Sequence, residues 1–249
     1  GTLQPRGVIP VDLFGIPADY DAIGRIAEQH GLFVLEDAAQ SFGATYKGMR
    51  TGNLGHVAAT SFFPAKPLGA YGDGGAVFTN DDGLAEKIGS IRVHGEGADK
   101  YHNDRIGLNA RLDTFQAAVV LAKLEIFEEE LEARRTVARR YARRLGGVVE
   151  TPYVPDGVVS AWAQYSILSD RRDAIQSELT RSGVPSAIYY PIPLHLQTAF
   201  RHLGHTHGDF PESERTATRI ISLPIHPYLK DEQIDVISEH VKLAVSKAA

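Results

Sequence analysis

The stretch Ser61-Phe62-Phe63-Pro64-Ala65-Lys66-Pro67-Leu68-Gly69-Ala70-Tyr71-Gly72-Asp73-Gly74-Gly75-Ala76 sets a single lysine between an apolar run and a glycine-rich turn. A lysine that follows a buried strand and sits beside Phe62 and Phe63 is partly desolvated. That lowers its pKa and fits Lys66 for the part of a Schiff-base nucleophile. The glycines permit tight turning and close approach of the backbone to a ligand. Taken alone, the same residues also describe a solvated lysine in a glycine-rich hairpin.

Working outward, residues 57–63 and 76–79 read as strands on either side of the lysine loop. Upstream, Leu32-Phe33-Val34-Leu35 is a continuous apolar run of the kind buried on both faces of a parallel sheet, with Glu36 and Asp37 at its carboxyl end. Open α/β sheets bind ligands at that end. Residues 8–11 form another short apolar run, and residues 18–29 carry Ile23, Ile26 and Ala27 at helical spacing before Gly31 stops the helix. Asp81 or Asp82 opens a further helix through Leu84, Ile88 and Ile91. Strands alternating with helices predict an α/β layer fold.

Asp113-Thr114-Phe115-Gln116 has the form of a capping box, in which Gln116 reaches back to the cap. A long helical stretch is expected over residues 117–145. Its arginines Arg134, Arg135, Arg139, Arg140, Arg143 and Arg144 follow Glu128, Glu129, Glu130 and Glu132, which predicts an ion-paired solvated face rather than a nucleic-acid patch. Gly146-Gly147 closes this segment, so residues 1–145 are expected to form a large domain with its connecting helix. Residues 146–249 are expected to form a smaller α+β domain. Within it, 162–168 reads as a strand, Asp170 as the cap of a helix through Ile175 and Leu179, and 186–190 as extended. Residues 212–221 and 231–244 read as helices, and Tyr189-Tyr190-Pro191-Ile192-Pro193-Leu194-His195 as a proline-stiffened loop.

With 249 residues, 43% hydrophobic and 23% charged, the chain has an ordinary globular composition. A net charge of -5 provides no basic field for polyanions, which argues against nucleic acid as a partner. The absence of cysteine removes disulfide and thiolate chemistry. No run of eighteen apolar residues occurs and the first residues have no apolar targeting core, so a soluble cytoplasmic protein without membrane contact is expected. His202, His205 and His207 lack the spacing or the added carboxylate of a metal site, and no metal is assigned.

Three features then form one pattern: Asp37-Ala38-Ala39-Gln40 after a buried strand, the segment from Ser61 to Lys66, and Gly72-Asp73-Gly74-Gly75-Ala76. With Ser41-Phe42-Gly43-Ala44, Arg92-Val93-His94-Gly95 and Gly107-Leu108-Asn109-Ala110-Arg111-Leu112-Asp113, in that order, the chain resembles the fold-type I pyridoxal phosphate enzymes. Within them it resembles the DegT/StrS nucleotide-sugar aminotransferases. The resemblance implies a PLP-dependent transferase fold: a mainly parallel large domain and a smaller α+β C-terminal domain. It implies pyridoxal 5'-phosphate as cofactor, held by Lys66 as Schiff base and proton shuttle, Asp37 on the pyridine nitrogen, Gln40 beside the ring and Ser61 on the phosphate. Asn109 resembles the residue given across a dimer interface to the neighbouring phosphate, which implies a homodimer with shared active sites. Arg111, His94, Tyr190 and His195 stand where the family contacts substrate, although each also has an ordinary reading as packing or surface polarity.

Sugar dehydratases of this family have histidine in place of the lysine, so Lys66 favours transamination from glutamate to a nucleotide-linked keto-sugar. The Lys-Pro-Leu-Gly and Tyr-Gly-Asp-Gly-Gly wording, with Tyr101-His102-Asn103, most resembles the branch acting on UDP-linked 3-oxo-N-acetylglucuronic acid in surface-polysaccharide synthesis. Arg111 is then a candidate for the sugar carboxylate or the diphosphate, since a guanidinium binds either in bidentate fashion. Family members carry a further N-terminal segment, with the first strand and a glycine-threonine phosphate-binding turn, that lies outside these residues. The alternative expectation is therefore a truncated, non-catalytic relative acting as a binding or assembly protein. A phosphate-cradling nucleotide-binding loop is the poorest fit, because the glycines match neither G-x-x-x-x-G-K-[ST] nor G-x-G-x-x-G between strand and helix.

Overall fold

The computed structural model describes residues 3–246. They pack into two compact units, one comprising residues up to Leu131 together with Val154–Ala163, the other Glu132–Tyr153 and residues from Gln164 onward. The division falls inside a long helix rather than at Gly146-Gly147. Phe127 and Leu131 of that helix are buried in the core of the first unit, whereas Tyr141 stacks on Tyr165 at 4.9 Å in the second.

In the first unit, β1 (Gly7–Val8) is followed by α1 (Tyr20–His30) and β2 (Phe33–Asp37). The Asp19 carboxylate caps α1 by accepting from Ala22 N–H at 3.1 Å, and Gly31 ends the helix at φ 60°, a left-handed position that glycine occupies freely. β1 is shorter than the apolar run 8–11 suggested. Pro10 has no N–H for the ladder, and its carbonyl instead accepts from Asp37 N–H at 2.9 Å while Val11 bridges Asp37. A small hairpin, β3 (Thr45–Tyr46) and β4 (Met49–Arg50), precedes β5 (Val57–Ser61) and β6 (Gly75–Phe78). The main sheet has the order β1-β2-β5-β6: the first three strands are parallel, and β6 returns antiparallel to β5 with Ser61 opposite Gly75. This is the mainly parallel sheet that the sequence predicts, with one antiparallel edge.

Asp81 caps α2 (Asp82–Arg92) through Leu84 N–H at 2.8 Å. The single helix expected over 117–145 is two, α3 (Thr114–Leu124) and α4 (Phe127–Leu145). Between them Ile126 N–H makes a tighter bond to the Lys123 carbonyl, after which Phe127 stacks on Phe42 at 5.8 Å. Asp113 does cap α3, but Gln116 does not reach back to it; its side chain bonds the lysine loop instead. β7 (Val158–Val159) adds to β3. Ala44, Phe62, Leu68, Ala70, Val120, Phe127, Leu131 and Ala161 form a buried cluster directly beneath the lysine loop. Side chains the size of Phe62 or Leu68 each contribute about 1.5–3 kcal/mol when fully buried.

The second unit contains β8 (Tyr165–Leu168), α5 (Arg172–Arg181), α6 (Pro211–Arg219), β9 (Ile220–Leu223) and α7 (Asp231–Ser246). β8 starts later than the expected 162, because Trp162 takes φ 51°. The expected helix over 212–221 stops at Arg219: Ile220 and Ile221 are buried and pair with Leu168 and Ile167 as β9. Asp170 is not a cap, since α5 begins at Arg172 and the Asp170 carboxylate accepts from Arg219 Nε at 2.6 Å. The arginine-rich end of α4 is ion-paired as expected, in part to α7: Arg139 meets Glu132 at 2.7 Å and Arg140 meets Asp231 at 2.8 Å. No helix among the described residues is long and apolar enough to cross a membrane.

Candidate active site

The carboxyl ends of two adjacent parallel strands carry the first group of side chains. Asp37 is the last residue of β2 and Ser61 the last of β5, with Asp37 opposite Ala59 in the register. Beyond Ser61 the chain folds back on itself. Phe62 N–H donates to the Gly74 carbonyl at 2.8 Å, Ala70 N–H to the Phe62 carbonyl at 2.7 Å, and Lys66 N–H to the Phe63 carbonyl at 2.9 Å. Phe62 and Leu68 are buried, and this holds the half-buried Lys66 between them in sequence. Two of the glycines are required by the protein's own backbone. A Cβ at Gly69 would lie 2.5 Å from the Pro64 carbonyl oxygen, and one at Gly75 2.5 Å from that of Thr60.

α3 holds the far side of this loop. Gln116 Oε1 accepts from Tyr71 N–H at 2.8 Å, and Lys123 Nζ donates to the Gly69 carbonyl at 2.6 Å while lying 4.9 Å over the Tyr71 ring. Neither residue belongs to the set expected from sequence, since a side chain reaching a loop 45 or 54 positions away leaves no local signal.

Burial lowers the pKa of Lys66, and the negative charge of Asp37 opposes that by favouring the ammonium. The Asp37 charge therefore acts on Lys66. Asp37 Oδ1 accepts from Ala39 N–H at 3.1 Å, Gln40 Oε1 from Phe14 N–H at 2.6 Å, and Ser61 Oγ from Phe63 N–H at 3.2 Å. Behind them stand two fully buried acids, Asp12 and Glu36. Burial raises the pKa of both, against the hydrogen bonds that each accepts. Glu36 takes N–H groups of Gly52 and Leu54, which fixes the turn before β5. Asp12 follows the apolar run 8–11 as Asp37 follows 32–35, the one sequence signal that could have singled it out.

His94, Asn109 and Arg111 lie on a second, exposed segment of the same unit. Arg111 Nε donates to Asn109 Oδ1 at 3.1 Å, and His94, at φ 59°, gives its N–H to the Leu108 carbonyl and takes Asn103 Nδ2 on its own carbonyl. In the second unit Tyr190 is exposed, its ring 5.5 Å from that of Tyr189. His195 is largely covered by its own unit. Its side chain is 8% exposed, Nε2 lies 2.9 Å from Glu214 Oε1, and the ring packs on Phe210.

Residues 2–242 match the DegT/DnrJ/EryC1/StrS aminotransferase family. Over 237 residues the chain is 50% identical to the UDP-2-acetamido-2-deoxy-3-oxo-D-glucuronate aminotransferase of Pseudomonas aeruginosa, covering 95% of this chain and 65% of that protein. It is similar, with a TM-score of 0.94 and 54% identity, to a DegT DnrJ EryC1 StrS aminotransferase from Brucella abortus, covering 97% of this chain and 65% of that one. DesV of S. venezuelae, solved in complex with a ketimine intermediate, superposes with a TM-score of 0.93 at 37% identity, covering 98% of this chain and 66% of that one. The chain thus spans 65% of the length of the first two of these proteins.

Proposed function

This chain belongs to the DegT/DnrJ/EryC1/StrS aminotransferase family, and from that premise we propose that it takes part in moving an amino group from glutamate to a nucleotide-linked keto-sugar. The observation that carries the reading is the placement of Lys66: a half-buried amine, its pKa lowered by burial, in the loop that follows β5, next to the parallel strand β2 that ends in Asp37. The donor set fits pyridoxal 5'-phosphate, which, when bound, supplies an electron sink for exchange of an amino group between two carbon skeletons.

Each residue then has a part that its chemistry allows. Lys66 Nζ is the group that would hold the cofactor's aldehyde carbon and move a proton, which its depressed pKa would assist. Asp37 would keep a proton on the pyridine nitrogen, Gln40 would bond beside the ring, and Ser61 would donate its hydroxyl to the phosphate. Asn109 reaches the phosphate of a neighbouring site in a homodimer, and the exposure of its segment, with Ile106 and Leu108 exposed beside it, supports such an interface. Arg111 and His94 in the first unit, and Tyr190 in the second, are each candidates for contact with the nucleotide-sugar. His195, turned onto Glu214, stiffens the segment that presents Tyr190. The 50% identity to the Pseudomonas aeruginosa protein supports UDP-2-acetamido-2-deoxy-3-oxo-D-glucuronate as the acceptor, and we take its amination to be a step toward surface polysaccharide in the cytoplasm.

The test is an absorbance titration of the purified chain with pyridoxal phosphate, followed by borohydride reduction and peptide mapping. A visible band with the reduced adduct on Lys66 is expected. Adducts scattered over exposed lysines would overturn the assignment and favour the binding or assembly role.

A further inference from the structure

The loop after β1 grips the Asp37 and Gln40 segment at three points. Pro10 and Asp12 hold the Asp37 peptide on both sides: its N–H donates to the Pro10 carbonyl at 2.9 Å, and its carbonyl accepts from Asp12 N–H at 3.1 Å. Phe14 N–H holds the Gln40 side chain at 2.6 Å. The fully buried Asp12 carboxylate takes Ser41 OH on Oδ2 at 2.8 Å, and Ala18 N–H and Tyr20 OH on Oδ1 at 3.0 and 2.9 Å.

This grip is built at a conformational cost. Phe14 takes φ 62° and Gly15 φ 95°. For a residue with a side chain such a conformation persists only when its surroundings over-determine it. Here they do. The Gly15 carbonyl accepts from Ala161 N–H at 2.9 Å and Ser160 OH at 3.0 Å, and a Cβ at Gly15 would lie 2.8 Å from Trp162 N and 3.1 Å from the Gln40 carbonyl oxygen. A buried carboxylate is expensive unless every lone pair that faces protein finds a donor. A loop needed only to join β1 to α1 requires neither the charge nor the left-handed turn. Both make sense if the position of Asp37 and Gln40 must be fixed.

We propose that Asp12 is a positioning residue for the Asp37–Gln40 segment, acting through the Asp37 peptide and the Ser41 hydroxyl to hold both side chains where they meet the cofactor. This rests on the aminotransferase reading for what the segment binds, but the mechanical claim concerns the chain by itself.

Three variants test it: Ser41→Ala removes only the link to Oδ2, Asp12→Asn keeps the acceptor for Ala18 and Tyr20 while removing the charge, and Ala27→Gly destabilises α1 of the same unit without removing any hydrogen bond to the loop. In the unliganded chain, Ser41→Ala and Asp12→Asn are expected to raise amide hydrogen exchange at residues 37–41 at least tenfold, with exchange in α2 unchanged. Ala27→Gly should leave 37–41 as in the parent chain. With pyridoxal phosphate added, the first two should weaken binding about tenfold with the reduced adduct still on Lys66. Unchanged exchange at 37–41, or the same acceleration in Ala27→Gly, overturns the proposal. If the parent chain forms no adduct on Lys66, the aminotransferase reading fails while the exchange measurement still decides the role of Asp12.

Discussion

Lys123 Nζ donates to the carbonyl of Gly69 at 2.6 Å across 54 positions of sequence, so α3 holds the loop that carries Lys66. The same ammonium lies 4.9 Å over the ring of Tyr71, whose N–H is taken by Gln116 about two helical turns earlier. The lysine loop is thus anchored at Gly69 and Tyr71, where its glycine-rich half begins, by one helix face.

Replacing Lys123 by Met keeps the aliphatic stem and removes the charged donor, leaving the partly buried Gly69 carbonyl without it. Hydrogen bonds to charged groups contribute about 1.5–3 kcal/mol. Thermal unfolding of Lys123→Met should fall within or just below that range. The yield of reduced pyridoxal phosphate adduct on Lys66 should fall with it, while labelling of the exposed Lys87 stays constant.

Glycine replacements separate backbone contact from backbone freedom. Gly69→Ala and Gly75→Ala push a Cβ to 2.5 Å from a carbonyl oxygen and should each cost about 2 kcal/mol or more. Gly24→Ala in α1 and Gly89→Ala in α2 meet nothing within 4 Å, and the helix gains propensity, so each should stabilise by about 0.5–1 kcal/mol. Chemical denaturation of the four variants checks both signs. A neutral Gly69→Ala would mean that the loop is free to move.

How much of this could be read in advance follows from distance along the chain. The strand end at Asp37, the loop between β5 and β6, and the caps Asp81 and Asp113 were legible because each depends on near neighbours or on apolar runs, whereas β5 stops at Ser61, two residues short of the expected end, and the cap at Asp19 was not singled out. Gln116 passed for part of a capping box because its spacing from Asp113 is right; the Tyr71 amide that captures it is 45 residues away. Asp170 looked like a cap and is instead held by Arg219, 49 positions on. Ile220 and Ile221 continued the helical pattern of α6, yet pairing with Leu168 and Ile167 outweighed that propensity. His195 read as a substrate contact or as packing, and nothing local reveals its bond to Glu214, 19 positions on.

The opposed effects on Lys66 give a signed prediction. Burial lowers its pKa and Asp37 raises it, so removing the Asp37 charge by Asp37→Asn should lower the pKa further. Below the pKa of ordinary lysines the folded chain binds fewer protons at Lys66 than the unfolded chain does. This group therefore adds stability as pH rises through its folded pKa toward the ordinary value of 10.5. The pH dependence of Lys66 acylation, read by peptide mass spectrometry, should have its midpoint below that of ordinary lysines and lower still in Asp37→Asn. A midpoint that rises in the variant would refute the action of the Asp37 charge on Lys66.

Glu214 offers a pH test in the second unit. Burial alone would raise its pKa, but N–H groups of Gly208 and Phe210, the His195 ring and the charge of His207 outweigh that and lower it. Its carboxylate ties the 207–210 turn to His195: Gly208 N–H lies 2.8 Å from Oε1, and His207 Nδ1 lies 2.7 Å from Oε2. An acid whose folded pKa is depressed contributes stability that is complete above its ordinary value, here 4.5, and is lost as pH falls through the folded value. Thermal unfolding of the parent chain should therefore lose stability in that window, and Glu214→Gln should show a shallower slope there. At pH 7 the variant should exchange its 205–210 amides faster than the parent chain, because Gln Nε2 cannot accept a hydrogen bond. Equal slopes in the two proteins would mean that the Glu214 contacts with Gly208, Phe210 and His195 do not hold this turn, and the stiffening of the Tyr190 segment assigned to His195 would fall with them.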